Sequence, residues 1–267
     1  MAGNILRKIV KAKKAEVKQK MEKLPVSEIL KELMKAPANR NFRDIFEYNN
    51  FIVIGEIKKK APSKGTIKSS VNIKKISKLY ESAGIKAVSV VTDKKFFDGR
   101  LDYVAEVKKH CTMPVLRKDF IIDEYQIYES RCARADAVLF IASILEKRQL
   151  NNFVKKARYL NMTPIVEVHT KEEVKKAVSS GTDIIGINTR DLKTFKINFN
   201  KVKTLMKYVP KDKIVIVESG IQKIEDIEKI MVDPRIRGVL VGTFLMKSRE
   251  KQVSEFVSEV INKFGSM

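Results

Sequence analysis

The chain has 267 residues, with 54 Lys+Arg against 32 Asp+Glu, a formal net charge of +22 at pH 7. Hydrophobic residues make up 44% and charged residues 32%, a mixture that excludes wholesale disorder. Two cysteines (Cys111, Cys132) and two histidines (His110, His169) exclude a disulfide framework, a Cys-based zinc site and a His-rich metal site.

A compact chain of this length buries roughly three quarters of its unfolded surface. An α/β barrel of this size is routinely one domain, so one domain over residues 1–267 is expected. No uncharged apolar run approaches the roughly 18 residues of a membrane span. The basic N-terminus (Arg7, Lys8, Lys11, Lys13, Lys14) is not followed by an apolar h-region, so no secretory signal is expected. The cysteines then read as reduced thiols of a cytoplasmic protein. The lysines are scattered, commonly beside glutamates. We read the charge as a solvated surface that also attracts a small anionic substrate. A nucleic-acid-binding protein, the competing reading, requires lysines gathered on one face.

Residues 1–48 read as a helical extension. Ile5, Leu6, Ile9, Val10 and Val17 form one apolar face. Ser27 with Glu28 opens a second helix, Ile29 to Met34, and Pro37 ends it. After Phe51, short β-branched runs alternate with lysine-rich amphipathic segments. The strands expected are 51–57, 86–91, 114–118, 136–141, 163–168, 183–187, 213–217 and 237–241, with starts 20 to 35 residues apart. The gaps hold helices at Ile73–Ser82, Tyr125–Ala133, Leu150–Leu160, Lys171–Ser179 and Ile224–Ile230. Lys108 and Lys109 read as exposed helix positions ahead of the third strand. Several strands are apolar throughout, the pattern of parallel strands covered on both faces. Eight such units point to a single (β/α)8 TIM barrel with the N-terminal helical extension. G-x-G-x-x-G follows no strand, which disfavours a Rossmann domain.

In such a barrel, chemistry sits where strands end. Strand 1 ends Glu56-Ile57-Lys58, strand 3 Arg117-Lys118-Asp119-Phe120, and strand 5 Glu167-Val168-His169. Strand 6 ends Asn188-Thr189-Arg190-Asp191, strand 7 Glu218-Ser219-Gly220, and strand 8 Gly242-Thr243. Any one polar strand end is ordinarily a solvated loop start. Six of eight together place lysines and glutamates in one mouth, where acid–base chemistry is possible. The Gly-plus-hydroxyl pairs after strands 7 and 8 suit a phosphate. The residues alone therefore predict a lysine/glutamate acid–base enzyme acting on a small phosphorylated compound.

The segments GEIKKKAPSKG, SVVTDKKFFDG, PVLRKDFIIDEYQI, ADAVLFIASIL, VEVHT, GINTRDLKTF, ESGI and VLVGTFLM occur in that order. Together they resemble the indole-3-glycerol phosphate synthase family, a carboxy-lyase of tryptophan biosynthesis. The resemblance implies ring closure of 1-(2-carboxyphenylamino)-1-deoxyribulose 5-phosphate with loss of CO₂ and water, and no cofactor or metal. It implies that Lys118 is the general acid and that Glu56 and Glu167 are catalytic carboxylates. Lys58 joins them as a further acid and cation, and Asn188 and Ser219 belong to the same catalytic set. Arg190 and Lys58 match positions that orient the substrate carboxylate. Gly220, Gly242 and Thr243 match the phosphate site, and Ser63 and Glu218 are further substrate contacts. Phe97 or Phe96, Phe120, Leu139 and Leu240 form the slot for the aromatic ring. How the roles divide among Glu56, Lys58, Lys118 and Glu167 stays open.

Two positions depart from the family pattern. Ala61 replaces a serine, which removes one hydroxyl contact. Asp93 replaces a glutamate, which shortens or removes a contact from that loop. Gly55 is unusual within strand 1 and is expected to loosen it. A Schiff-base aldolase using Lys58 or Lys118 is the rival enzyme. The partner expected is a phosphorylated small molecule, without nucleic acid or membrane. The oligomeric state is not legible, and a monomer is the default.

Overall fold

The computed structural model describes residues 3–191 and 194–266. Two helices come first, α1 (Gly3–Lys23) and α2 (Val26–Met34). Eight barrel strands follow: β1 (Ile52–Ile57), β2 (Ala87–Val91), β3 (Val115–Lys118), β4 (Ala137–Ile141), β5 (Thr163–Val168), β6 (Ile184–Asn188), β7 (Ile214–Glu218) and β8 (Ile236–Val241), with a short antiparallel ribbon, Lys60–Ala61 against Gly65–Thr66, in the loop after β1. All barrel strands are parallel to their neighbours, and β1 pairs with both β2 and β8, which closes the barrel. Each expected strand is present to within one or two residues. The reason is physical: strands covered on both faces carry uninterrupted apolar runs.

The two-residue repeat of each strand divides the core in two. Ile52, Ile54, Ala87, Leu116, Ala137, Leu139, Ile165, Ile184, Ile216 and Leu240 fill the barrel interior. Phe42 and Phe46, just before β1, join that cluster. Arg237 donates to the carbonyls of Phe46, Asn49 and Asn50, tying this plug to β8. The alternate residues, among them Val53, Ile57, Val88 and Val90, pack against the surrounding helices. The helices that matter below are α3 (Ile73–Ser82), α4 (Lys94–Phe97), α5 (Asp102–His110), α6 (Glu124–Cys132), α7 (Lys147–Tyr159), α8 (Lys171–Ser179) and α9 (Asn200–Met206). Two short helices, α10 (Ile224–Glu228) and α11 (Thr243–Lys247), follow β7 and β8, and α12 (Glu250–Phe264) ends the chain.

The extension has no core of its own. Val17 and Ile29 pack with Tyr125 of α6, alongside Met21, Tyr128 and Cys132. Lys13, which reads as a surface lysine, is 1% exposed. Its ammonium lies 2.9 Å from Asp93, 3.0 Å from Asp119 and 2.9 Å from Glu16. A buried ammonium needs such partners. No helix among the described residues is long and apolar enough to cross a membrane.

Four sequence expectations need correction. α2 begins at Val26 after Pro25, and Ser27 makes no capping bond. Gly55 does not loosen β1, because it pairs with Val88 on one side and Val241 on the other. A Cβ there would lie 2.5 Å from the Tyr80 ring, so the glycine makes room for that ring. Lys108 is not exposed: it is 6% exposed and contacts both Asp136 oxygens, at 2.6 and 2.7 Å. Asp136 also accepts from the backbone N–H groups of Arg40 and Val115. The pair thus joins α5, the start of β4 and the extension. Lys13, finally, is a buried tether.

Removing one partner of a buried pair leaves an uncompensated charge. Lys108→Met is therefore expected to lower the unfolding free energy by about 3–5 kcal/mol. Lys109→Ala, at an exposed position, should change it by no more than about 0.5 kcal/mol. Urea unfolding followed by circular dichroism checks both.

Candidate active site

The strand ends meet in one cavity. Its lining includes all six expected catalytic residues: Glu56, Lys58, Lys118, Glu167, Asn188 and Ser219. It also includes all ten expected substrate contacts: Ser63, Phe97, Phe120, Leu139, Arg190, Glu218, Gly220, Leu240, Gly242 and Thr243. Of the two phenylalanines offered by the sequence, Phe97 lines the cavity and Phe96 does not.

The ionic centre is compact. Glu56 pairs with Lys58. Lys118 pairs with Glu218 and lies 3.4 Å from Glu167. Asn188 donates to Oε1 of Glu167 at 3.0 Å, and Nε2 of His169 lies 2.9 Å from the same oxygen. Thr189 donates to the carbonyls of Glu218 and Ser219, bracing the tip of β7. Ser219 has φ 71° and Gly220 φ 89°. Two successive left-handed residues turn the chain sharply where β7 ends, and a non-glycine in that region is strained.

Two glycines make room for carboxylates. A Cβ on Gly186 would lie 2.3 Å from Oε1 of Glu218, and one on Gly242 would lie 2.3 Å from Oε1 of Glu56. Gly242, expected as a phosphate contact, also leaves room for the Glu56 carboxylate. Bulk there strikes a candidate catalytic group, so a Gly242 variant tests Glu56 as well as phosphate binding.

The charges set one another. Burial pushes Glu56 up, but Lys58 and Lys118 outweigh it, and its pKa is lowered. Burial also pushes Glu167 up, yet Lys118 and the His169 contact carry it down to about 2. Glu218 moves the other way, to about 7: burial raises it, and the like charge on Glu167 adds to that against the pull of Lys118. Burial lowers Lys118, but Glu218, Glu167 and Glu56 hold it well above the usual ammonium range. Glu218 is thus the carboxylate that takes a proton first, and Lys118 keeps its own until a stronger base forms.

The other end of the cavity is apolar. Phe97 and Phe120 lie 5.9 Å apart between ring centroids, close to Leu139 and Leu240. Ile5, Leu6 and Ile9 of α1 complete this wall. Sequence reasoning missed them as site residues: an apolar helical face looks the same whether it meets a core or a ligand. Asp93 does not line the cavity. It caps α4 through the N–H of Phe96 at 2.8 Å and pairs with Lys13. Ala61 is buried beside Ser63, in the lining of the same loop. Leu192 and Lys193 of the RDLKTF segment lie outside the described residues.

The raised Glu218 has a stability signature. Its carboxyl holds its proton in the folded chain up to about 7 and in the unfolded chain only to its ordinary 4.5. Between those values the unfolded state has released a proton that the folded state keeps, so stability falls as pH rises through the window. Glu218→Gln lacks this loss. Its urea midpoint should gain on that of the parent chain from about pH 4.5 to 7 and then stay level. A constant difference would contradict the raised carboxyl.

The sequence matches the family model described as indole-3-glycerol phosphate synthase over residues 6–259. An indole-3-glycerol phosphate synthase of Caldanaerobacter subterraneus subsp. tengcongensis is 45% identical over 256 residues, covering 96% of this chain and 98% of the relative. One of Thermoanaerobacter pseudethanolicus is 42% identical, with the same coverage of both chains. One of Acetivibrio thermocellus is 39% identical over 98% of this chain and 100% of its own. Among solved structures, the N-acetylmannosamine-6-phosphate 2-epimerase of Clostridium perfringens superposes with a TM-score of 0.57 at 13% identity. It covers 84% of this chain and 99% of its own, a likeness of fold alone. A closed barrel with lysines and glutamates at its strand ends, matched along nearly its whole length by these relatives, belongs to the indole-3-glycerol phosphate synthase family.

Proposed function

We propose that Lys118, Glu56, Lys58 and Glu167 carry out the family's reaction in this chain, with Lys118 as the acid of ring closure. The reaction converts 1-(2-carboxyphenylamino)-1-deoxyribulose 5-phosphate to indole-3-glycerol phosphate with loss of carbon dioxide and water, a lyase step of tryptophan biosynthesis. The observation that carries the assignment is the Lys118 ammonium, held between Glu167 and Glu218 in the cavity.

The chemistry follows from those contacts. The apolar wall of Phe97, Phe120, Leu139 and Leu240 receives the aromatic ring. Gly220, Gly242 and Thr243, beside Ser219, receive the phosphate, where backbone N–H groups can approach an anion closely. As the ring carbon attacks the ketone, the ketone oxygen becomes an alkoxide. That alkoxide is basic enough to take a proton from Lys118, although its carboxylate neighbours hold that proton tightly. Lys58 and Arg190 face the substrate carboxylate, whose loss as carbon dioxide restores a neutral ring system. Glu167 then takes the ring proton while Lys58 protonates the departing hydroxyl, with the ionised Glu56 holding the Lys58 ammonium. Ser63 and Glu218 contact the sugar portion, and Asn188 orients Glu167.

This reading takes residues 1–48 as an extension of one domain, since Lys13 and Val17 find their partners on the barrel. A cytoplasmic monomer without nucleic acid belongs to the same reading. The pairing of surface lysines with nearby glutamates, such as Lys31 with Glu28 and Lys35 with Glu32, supports the part of it that leaves out nucleic acid.

Two outcomes are expected. Lys118→Ala should lose on the order of 10³-fold or more in kcat, combining acid catalysis with charge stabilisation. Lys118→Arg should rescue poorly, because a guanidinium hardly releases a proton. Lys109→Ala should turn over normally. Single-turnover kinetics followed by indole fluorescence, with circular dichroism as the folding control, decides this. Retention of more than about a tenth of parental turnover by Lys118→Ala would pass the role to Lys58. Second, the positive surface should steer the anionic substrate, so kcat/KM should fall as salt rises while unfolding midpoints hold steady. A salt-independent kcat/KM would separate the +22 charge from substrate capture.

A further inference from the structure

His169 stands just beyond β5, two residues after Glu167, and is not among the cavity-lining residues. Its side chain is 9% exposed. Nε2 lies 2.9 Å from Oε1 of Glu167. An ionised carboxylate can only accept, so Nε2 carries the proton in this contact. The backbone N–H of the same residue donates to Oε2 of Glu173, on α8, at 2.7 Å. That bond holds the backbone of His169 from outside the cavity, where the ring can reach Glu167. The other ring nitrogen, Nδ1, is buried with no partner among the described residues.

That bare nitrogen is informative. Leaving a buried polar atom unpaired costs about 1–3 kcal/mol. An apolar side chain in the same place would avoid the cost. The histidine is thus costly as packing, and what it provides in return is one hydrogen bond to one oxygen of a reacting carboxylate. Asn188 donates to the same Oε1 at 3.0 Å, while Oε2 faces Lys118 at 3.4 Å. Two neutral donors converge on one oxygen, and the second oxygen is left toward the cavity.

We propose that His169 is a positioning residue for Glu167, fixing Oε1 so that Oε2 transfers the proton, and that its own protonation governs how readily Glu167 acts as a base. The proposal rests on the reading of Glu167 as a reacting carboxylate. A neutral His169 supplies only a hydrogen bond. A protonated His169 adds a full positive charge beside Glu167 and lowers its appetite for a proton. The charged and titratable groups that act on the imidazole are Glu167 on β5, Glu173 on α8 and Lys201 on α9. Burial favours the neutral form, the two glutamates favour the charged form, and Lys201 opposes them. The glutamates prevail, so the proton stays on to higher pH than on a free histidine. The proton-transfer step should therefore slow on the acid side of that transition and recover above it.

The test compares His169→Leu, His169→Gln and Glu167→Gln by steady-state and single-turnover kinetics from about pH 5.5 upward into the alkaline range. His169→Leu should lose about 10- to 100-fold in kcat, the usual effect of removing an outer-shell partner, with KM nearly unchanged because His169 does not meet substrate. His169→Gln places an amide N–H near the position of Nε2 and cannot titrate. It should keep most of the turnover at high pH and lack the acid-side fall of the parent chain. Parental kcat in folded His169→Leu, or an acid-side fall unchanged in His169→Gln, overturns the proposal. Should His169→Leu fail to fold, the pH profile of His169→Gln decides alone. Glu167→Gln separates the two levels: if it remains active, the reading of Glu167 itself fails, whatever the histidine variants do.

Discussion

A cavity that withdraws three carboxylates from water has to withdraw cations with them. Glu56, Glu167 and Glu218 are each 3% exposed or less, and an isolated charge in such a place is prohibitively costly. Lys58 and Lys118 answer them directly, and Arg190 exerts an attraction on Glu56 from across the mouth. Much of the surrounding structure serves this arrangement. Rigid strands hold the charged groups in register. Glycines at 186 and 242 leave space for two of the carboxylates. Asn188 holds the third by donating to Oε1 of Glu167, and Thr189 braces the strand end that carries Glu218. The balance is incomplete: Glu218 retains a proton near neutrality while Glu167 stays ionised.

The fold and most of the site were legible in the sequence for one reason. A closed parallel barrel brings every strand end to one face, so residues far apart in the chain become neighbours by topology rather than by spacing. Once the eight apolar runs were identified, Glu56, Lys118, Glu167, Asn188 and Glu218 had to meet. What remained illegible depends on pairing across the fold. Lys108 lies on a helix rich in charge, and nothing near it in sequence announces Asp136. Lys13 sits among other lysines, yet its partners are Asp93 and Asp119. Gly55 looks like a defect until Tyr80, from the next helix, occupies the vacant side. His169 falls within a quoted motif, but only the direction of its ring distinguishes it from a loop residue.

Buried ion pairs here join parts rather than simply add stability. Lys13 touches the loop that carries α4 and the residue next to Lys118, while α1, which bears it, supplies Ile5, Leu6 and Ile9 to the apolar wall. Arg117 points away from the cavity and binds Asp119, Glu129 and the carbonyl of Gln126. Adjacent residues on β3 therefore face opposite ways, one toward chemistry and one toward the helical shell, as the strand repeat requires. Replacing such pairs by apolar residues can be neutral or stabilising elsewhere. In this chain the same change would release a wall of the cavity.

The barrel closes between its first and last strands, and this governs how the chain can assemble as it is synthesised. The extension finds its partners early: Asp93, Asp119 and Tyr125 all precede the midpoint of the chain. β1, by contrast, gains its second neighbour only when residues 236–241 have been made. Until then one edge of an apolar strand is bare, the kind of edge that pairs readily with a wrong partner. Closure over so long a separation is slow compared with helix docking. β8 is therefore the strand that completes the first, and the growing chain carries that bare apolar edge through the synthesis of the six strands between them.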